Sequence, residues 1–210
     1  KVQWFINGNK DAGLRAKDVE VHDEYTRRLA EIFAAYDEQC QREGVVDFAE
    51  LLLRSYELLS RNEPLREHYR ARFQHILVDE FQDTNKAQYE LVRSLAEAHK
   101  RLFVVGDEDQ SIYSWRGADY RNIERFRHDF PDAQVVLLEQ NYRSTQTILD
   151  AAQAVIDCNP RRTPKRLWCE AGAGAAIALY TASDAEQEAA YVVGEIQRAL
   201  RSGARPGDHA

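Results

Sequence analysis

Cysteine is scarce in this 210-residue chain: Cys40, Cys158 and Cys169 are an odd number, far apart, and form no C-x-x-C pair. That pattern supports neither a disulfide framework nor a cysteine zinc site, and it suits a reducing compartment. The six histidines show no H-x-x-x-H or H-E-x-x-H spacing, so they offer no zinc site either. No apolar run approaches the roughly 18–20 residues of a membrane span. The opening KVQWFINGNK lacks the charged-then-apolar layout of a signal peptide, and no membrane partner is expected. Positive charge is short as well. The net charge of −7 gives no global pull toward nucleic acid, so any DNA contact must be local. A G-x-S-x-G nucleophile signature is missing. So is G-x-x-x-x-G-K-[ST], and no Gly-Lys pair occurs, so the loop that cradles phosphates with backbone amides and a lysine is not in this chain.

What is present suits a soluble globular protein of one or two domains, with 44% hydrophobic and 30% charged residues. The chain opens on Lys rather than Met, and its last residues, ARPGDHA, resemble a truncation or a linker. An internal piece of a longer protein is the expectation.

The first third reads as helical. Tyr25, Leu29, Ile32, Phe33, Tyr36 and Cys40 recur at helical spacing between Asp18 and Glu43, with Gly44 as the stop. Asp47 can cap a second helix, FAELLLRSYELLS, and Pro64 opens a third that runs to about Phe73. The period then changes. HILVD (75–79), RLFVVGD (101–107) and AQVVLLE (133–139) read as short buried strands separated by helical segments, NKAQYELVRSLAEAHK and DYRNIERFRHDF. That alternation predicts an α/β fold with a mainly parallel sheet covered on both faces, its ligands at the carboxyl ends of the strands. A helix over STQTILDAAQAVIDC, a basic loop NPRRTPKR, a strand AAIALYTA and a final helix starting at Ser183 complete the chain. Ser183 and Glu186 there have capping-box spacing.

HILVDEFQDT runs from an apolar strand straight into Asp79, Glu80 and Asp83. Paired acids at a strand end are suited to holding Mg²⁺ at a nucleoside triphosphate and orienting the attacking water. They also suit the start of the following helix, where Asp83 and Thr84 would act as caps. Asp107-Glu108-Asp109-Gln110 ends a second strand and competes for the metal role; periodicity does not separate the two. Tyr113 and Trp115 stand two apart, so in extended chain they share a face, which suits either stacking on bases or ordinary core packing. The four basic residues of NPRRTPKR read as a solvated loop.

DEFQDT, then VVGDEDQSIYSWRGA, then LEQNYRST, with VDFAELLL upstream and KRLW downstream, resembles the consecutive motifs of the UvrD/Rep/PcrA superfamily 1 DNA helicases, and most closely the UvrD branch. The resemblance covers nearly the whole chain. It implies a fragment of a RecA-like P-loop NTPase core plus a remnant of a helical subdomain. Residues 1–46 would end an accessory subdomain, 47–137 form the second half of the first core domain, and 138–210 begin the second. The implied activity is ATP-dependent 3′→5′ DNA unwinding in nucleotide excision and mismatch repair, in a cytoplasmic, nucleoid-associated protein. Its implied partners are single-stranded and partly duplex DNA and DNA repair proteins. A non-catalytic DNA-binding scaffold and the helicase part of a helicase–nuclease are the alternatives.

For the site, the resemblance implies ATP and Mg²⁺, with Asp79 on the metal side and Glu80 as both metal ligand and general base. Gln110 senses the γ-phosphate, Tyr142 packs on adenine or ribose, and Arg143 approaches the γ-phosphate. Tyr113 and Trp115 would stack on single-stranded DNA. Arg116 meets phosphate or stabilises its loop, and Phe48 lies beside DNA or in the core. Without the phosphate-cradling loop, the isolated chain is expected to hydrolyse negligible ATP.

Overall fold

The computed structural model describes residues 1–160 and 162–209, which divide into two compact units. The first comprises Lys1–Leu137 with Asn159–Pro164, the second Leu138–Cys158 with Lys165–Ala210.

In the first unit, α1 (Val2–Asp11), α2 (Glu24–Glu43), α3 (Phe48–Arg61) and α4 (Glu63–Arg72) form the helical part. α2 starts six residues after Asp18, because Asp23 caps it by accepting from the Thr26 amide; Ala16–Asp18 is a separate 3₁₀ turn. Gly44 ends α2 with φ 69°, a left-handed conformation that costs glycine nothing. Asp47 accepts from the Glu50 amide to cap α3 as expected, and Asn62 caps α4 with Pro64 in its first turn. Ile6, Leu29, Phe33, Leu53 and Leu59 are buried along these helices.

A charged cluster also lies inside. Lys10 is only 1% exposed, yet its ammonium pairs with Asp37 at 3.0 Å, Asp47 at 3.0 Å and Glu50 at 2.9 Å. Arg15 joins Glu50 at 2.8 Å and Glu57 at 2.6 Å. Burial pulls Lys10 downward, but the hydrogen bonds to Glu50, Asp47 and Asp37 outweigh it and hold the pKa above the usual lysine value. The cluster ties α1, α2 and α3 together.

β1 (Ile76–Val78) and β2 (Leu102–Val104) pair in parallel, with Ile76 opposite Leu102 and Val78 opposite Val104. α5 (Lys86–Ala96) connects them, and α6 (Arg121–Asp129) follows β2. This is an α/β arrangement. Three expectations about the sheet fail. It has two strands among the described residues. Leu77 and Phe103 are exposed, so the sheet is not covered on both faces. Residues 133–139 form no strand: Val135, Val136, Leu137 and Leu138 are exposed. A strand exists only where a ladder takes up its amides and carbonyls, and among the described residues only the end of this segment is met by another, where Glu139 O accepts from the Trp168 amide at 3.0 Å.

The second unit holds α7 (Gln146–Ile156) and α8 (Ala185–Arg201). Its only bridge among the described residues pairs Gln140 with Trp168. The predicted strand AAIALYTA is likewise unpaired, with Leu179 and Ile177 exposed, although Tyr180 stacks on Tyr191 at 3.9 Å. Asp184, not Ser183, caps α8 by accepting from the Gln187 amide. No helix is long and apolar enough to cross a membrane among the described residues.

Candidate functional site

Parallel pairing brings two loops out of the same end of the sheet. The Val105 amide donates to Val78 O at 2.8 Å, and the Phe81 amide donates back to Val105 O at 3.0 Å. Asp79 and Glu80 therefore leave β1 beside the loop that leaves β2. Glu80 adopts φ 49°, ψ 44°, a left-handed conformation costly for a residue with a Cβ, of order 1–2 kcal/mol. Phe81 holds it there, buried edge-on against Tyr89 and Phe126 at centroid distances of 6.2 and 5.7 Å. The carboxylates of Asp79 and Glu80 face solvent and form no ion pair among the described residues. Asp79 accepts from the Glu80 amide at 2.9 Å.

The competing acidic run is occupied. Arg162 reaches Asp109 at 3.1 Å, with only 10% of its side chain exposed, and Glu108 accepts from the Thr163 amide at 2.6 Å. NPRRTPKR is thus not simply a solvated loop, because Arg162 is buried in a pair; Arg161 lies outside the described residues. Asp107 accepts from the Gln110 side chain at 2.8 Å, and Gln110 is exposed.

Tyr113 and Trp115 are not in extended chain. Ser114–Arg116 is a 3₁₀ turn ended by Gly117 at φ 89°, and it brings the two rings to 6.2 Å at 57°. The Arg116 guanidinium covers both, 4.9 Å from the Tyr113 centroid and 4.5 Å from Trp115. It stabilises the loop by cation–π attraction while its side chain stays exposed. Trp115 is 57% exposed and Phe48, at the first position of α3, is 90% exposed, so neither is a core residue. Arg116 and Phe48 line one cleft of about 270 Å³, together with Leu52, Asp83, Asn85 and Asp11.

Asp83 and Thr84 do not cap α5. Asn85 does, accepting from the Gln88 amide at 2.8 Å while Gln88 returns a bond to the Asn85 amide. Thr84 instead donates to Phe81 O, and a buried Asp83 oxygen has no hydrogen-bond partner among the described residues.

Asp11 accepts from the Asn85 side chain at 2.7 Å. Burial, reinforced by the negative charge of Asp47, pushes its pKa up to about 6. The folded protein therefore holds this proton more tightly than the unfolded chain, and stability falls as pH rises from about 4 through about 6. Asp11→Asn is expected to stabilise the protein by on the order of 1–2 kcal/mol at about pH 8, with about half that gain at about pH 5. Urea unfolding at the two pH values measures it.

In the second unit Tyr142 is exposed, its hydroxyl donating to Gln140 at 2.8 Å, and Arg143 is exposed as well. Asn141 shapes their turn, its side-chain oxygen accepting from the amides of Arg143 at 2.9 Å and Ser144 at 2.7 Å.

Residues 1–131 match the family model for the UvrD/REP helicase N-terminal domain. The chain belongs to the UvrD/REP helicase family. Residues 136–209 match the UvrD-like helicase C-terminal domain. This UvrD/REP family chain is 48% identical over 198 residues to DNA helicase II of Escherichia coli K12, and equally so to that of Salmonella typhimurium; each comparison covers 94% of the chain and 28% of the relative. It is 46% identical over 191 residues to ATP-dependent DNA helicase PcrA of Staphylococcus aureus, covering 91% of the chain and 26% of that relative. The chain thus spans little more than a quarter of the length of these relatives.

No group of three or more His, Cys, Asp or Glu side chains suited to a metal ion occurs among the described residues of this UvrD/REP chain. The residues nevertheless fit Mg²⁺, which is commonly held by one or two carboxylates, the rest of its shell being water and substrate phosphate. Asp79 and Glu80 are two hard oxygen donors, solvent-facing and without an ion pair among the described residues. Reading the sequence alone missed Gln82, which is buried between the two loops, and Asn122, which is fully buried and donates to Thr84 O at 2.9 Å and Asn85 O at 3.1 Å. An amide inside an acidic motif, and an asparagine on the inner face of a short helix, were the available signals.

Proposed function

We propose that this chain supplies the ATP-hydrolysing acids and the single-strand grip of a RecA-like, ATP-dependent 3′→5′ DNA helicase acting in DNA repair. The observation that carries the reading is the parallel sheet end, where Asp79 and Glu80 stand exposed, with no ion pair among the described residues, beside the loop that continues into Tyr113 and Trp115. The resemblance of the motifs implies the polarity and the repair role, and the relatives' names support the ATP-dependent helicase activity alone.

Asp79 and Glu80 are the residues that would hold Mg²⁺, which when bound offsets charge on the phosphates. Glu80 takes a proton from the attacking water and orients it, and its left-handed backbone breaks the extended course of the chain after β1. Gln110 carries an amide able to donate to a phosphate oxygen and accept from water. Tyr142 and Arg143 contribute the surface for the base or ribose and a guanidinium for the γ-phosphate. Trp115 and Tyr113, buttressed by Arg116, present aromatic faces to bases, and Phe48 adds a ring at the cleft that Arg116 also lines. The phosphate-cradling loop comes from outside these residues, so the chain alone turns over little ATP.

Oligo(dT) affinity of the full-length protein tests the grip. Trp115→Ala is expected to weaken binding by roughly 5- to 150-fold, the equivalent of about 1–3 kcal/mol of stacking. Unchanged affinity in both Trp115→Ala and Phe48→Ala would contradict it.

A further inference from the structure

Gln82 is 2% exposed, and its one amide group spans the two loops. Its Nε2 donates to Glu80 Oε2 at 2.7 Å, and its Oε1 accepts from the Asp107 amide at 2.9 Å. Its backbone carbonyl accepts from Ser111 Oγ at 3.4 Å. The approach is close enough to require glycine opposite: a Cβ on Gly106 would stand 2.8 Å from Gln82 Oε1 and 3.2 Å from the Phe81 amide nitrogen. Asp107 in turn accepts from the Gln110 side chain. Glu80, Gln82, Asp107 and Gln110 thus form one unbroken hydrogen-bonded line from the first loop to the second.

A buried amide must have both ends satisfied, and the Asp107 bond answers that need for the oxygen. The Glu80 bond is different. Glu80 faces solvent, where water would serve its carboxylate, so the donor from Gln82 mainly selects one orientation of a long flexible side chain. An amide does this without adding charge. A lysine there would neutralise the carboxylate, and a second acid would repel it.

We propose that Gln82 is a positioning residue for ATP hydrolysis, holding the Glu80 carboxylate in its working orientation and tying it to the Asp107–Gln110 loop. This rests on Glu80 acting on the attacking water. Gln82→Glu keeps the acceptor for the Asp107 amide but loses the donor to Glu80; Gln82→Met loses both.

The test uses the full-length protein. In both variants kcat for single-strand-stimulated ATP hydrolysis is expected to fall about 10- to 100-fold, with KM for ATP and oligo(dT) affinity within about twofold of wild type. Hydrogen exchange of the Asp107 amide is expected to be slow in wild type and Gln82→Glu and faster in Gln82→Met. Unchanged kcat in the variants, or KM and DNA affinity deteriorating in step with kcat, overturns the inference. So does fast Asp107 exchange in the wild type, a readout available even if a variant fails to fold. Glu80→Gln in the same assay separates the layers. Wild-type turnover in Glu80→Gln removes the reading of Glu80 and this inference with it, whereas loss in Glu80→Gln without loss at Gln82 overturns the inference alone.

Discussion

Glu80→Gln is expected to reduce ATP turnover of the full-length protein by at least about a hundredfold, because a positioned general base contributes 10²–10⁴-fold. The substitution keeps the side chain's length and its acceptor for the Gln82 amide at 2.7 Å, so the backbone at φ 49° and the packing of Phe81 need not change. What disappears is the negative charge and the ability to take a proton. Oligo(dT) affinity is expected to survive, since Tyr113 and Trp115 lie at the Ser114–Arg116 turn and Phe48 at the start of α3, away from the turn that carries Glu80. Steady-state turnover and anisotropy on the same preparation check both halves. A variant that keeps more than about a tenth of wild-type kcat would leave Glu80 without the proposed role.

Lys10→Met is expected to destabilise the first unit by about 3–5 kcal/mol, the usual consequence of removing one partner from a buried charge cluster. Three carboxylates, Asp37, Asp47 and Glu50, lie within 3.0 Å of the ammonium, and the ring of Tyr36 stands 5.1 Å from it. Arg15 still reaches Glu50 but leaves Asp47 without its cation. Although burial raises the Asp47 and Glu50 pKa values, the bonds to Lys10 and their other partners outweigh it and keep both below the usual carboxylate range. Without Lys10 those acids bind protons more readily in the folded state, so the deficit is expected to be largest near neutral pH and to shrink as pH falls. Urea unfolding across pH measures it. A loss below about 1 kcal/mol would mean the cluster contributes little.

The helices were legible because their periodicity and caps are local: Asp47, Gly44 and Pro64 each signal a boundary within a few residues. α1 was not, since Asn7-Gly8-Asn9 has the composition of a turn and the fold buries a charged residue, Lys10, on that helix. Residues 133–139 and 175–182 show the other failure. Their apolar character records a demand for a partner strand, and the pattern cannot say whether one is alongside. At the site, Asp79, Glu80 and the aromatic loop follow from motif wording. The Arg116 guanidinium over two rings and the Gln82 bridge do not, because they depend on a tight 3₁₀ turn and on two loops 25 residues apart meeting at one strand end.

The most direct test of a DNA-driven motor is ATP turnover by the full-length wild-type protein as single-stranded DNA is titrated in. A saturable rise in turnover with DNA is the predicted result. Absent turnover in folded protein that still binds DNA would contradict it, and would mark the chain as part of a DNA-binding scaffold.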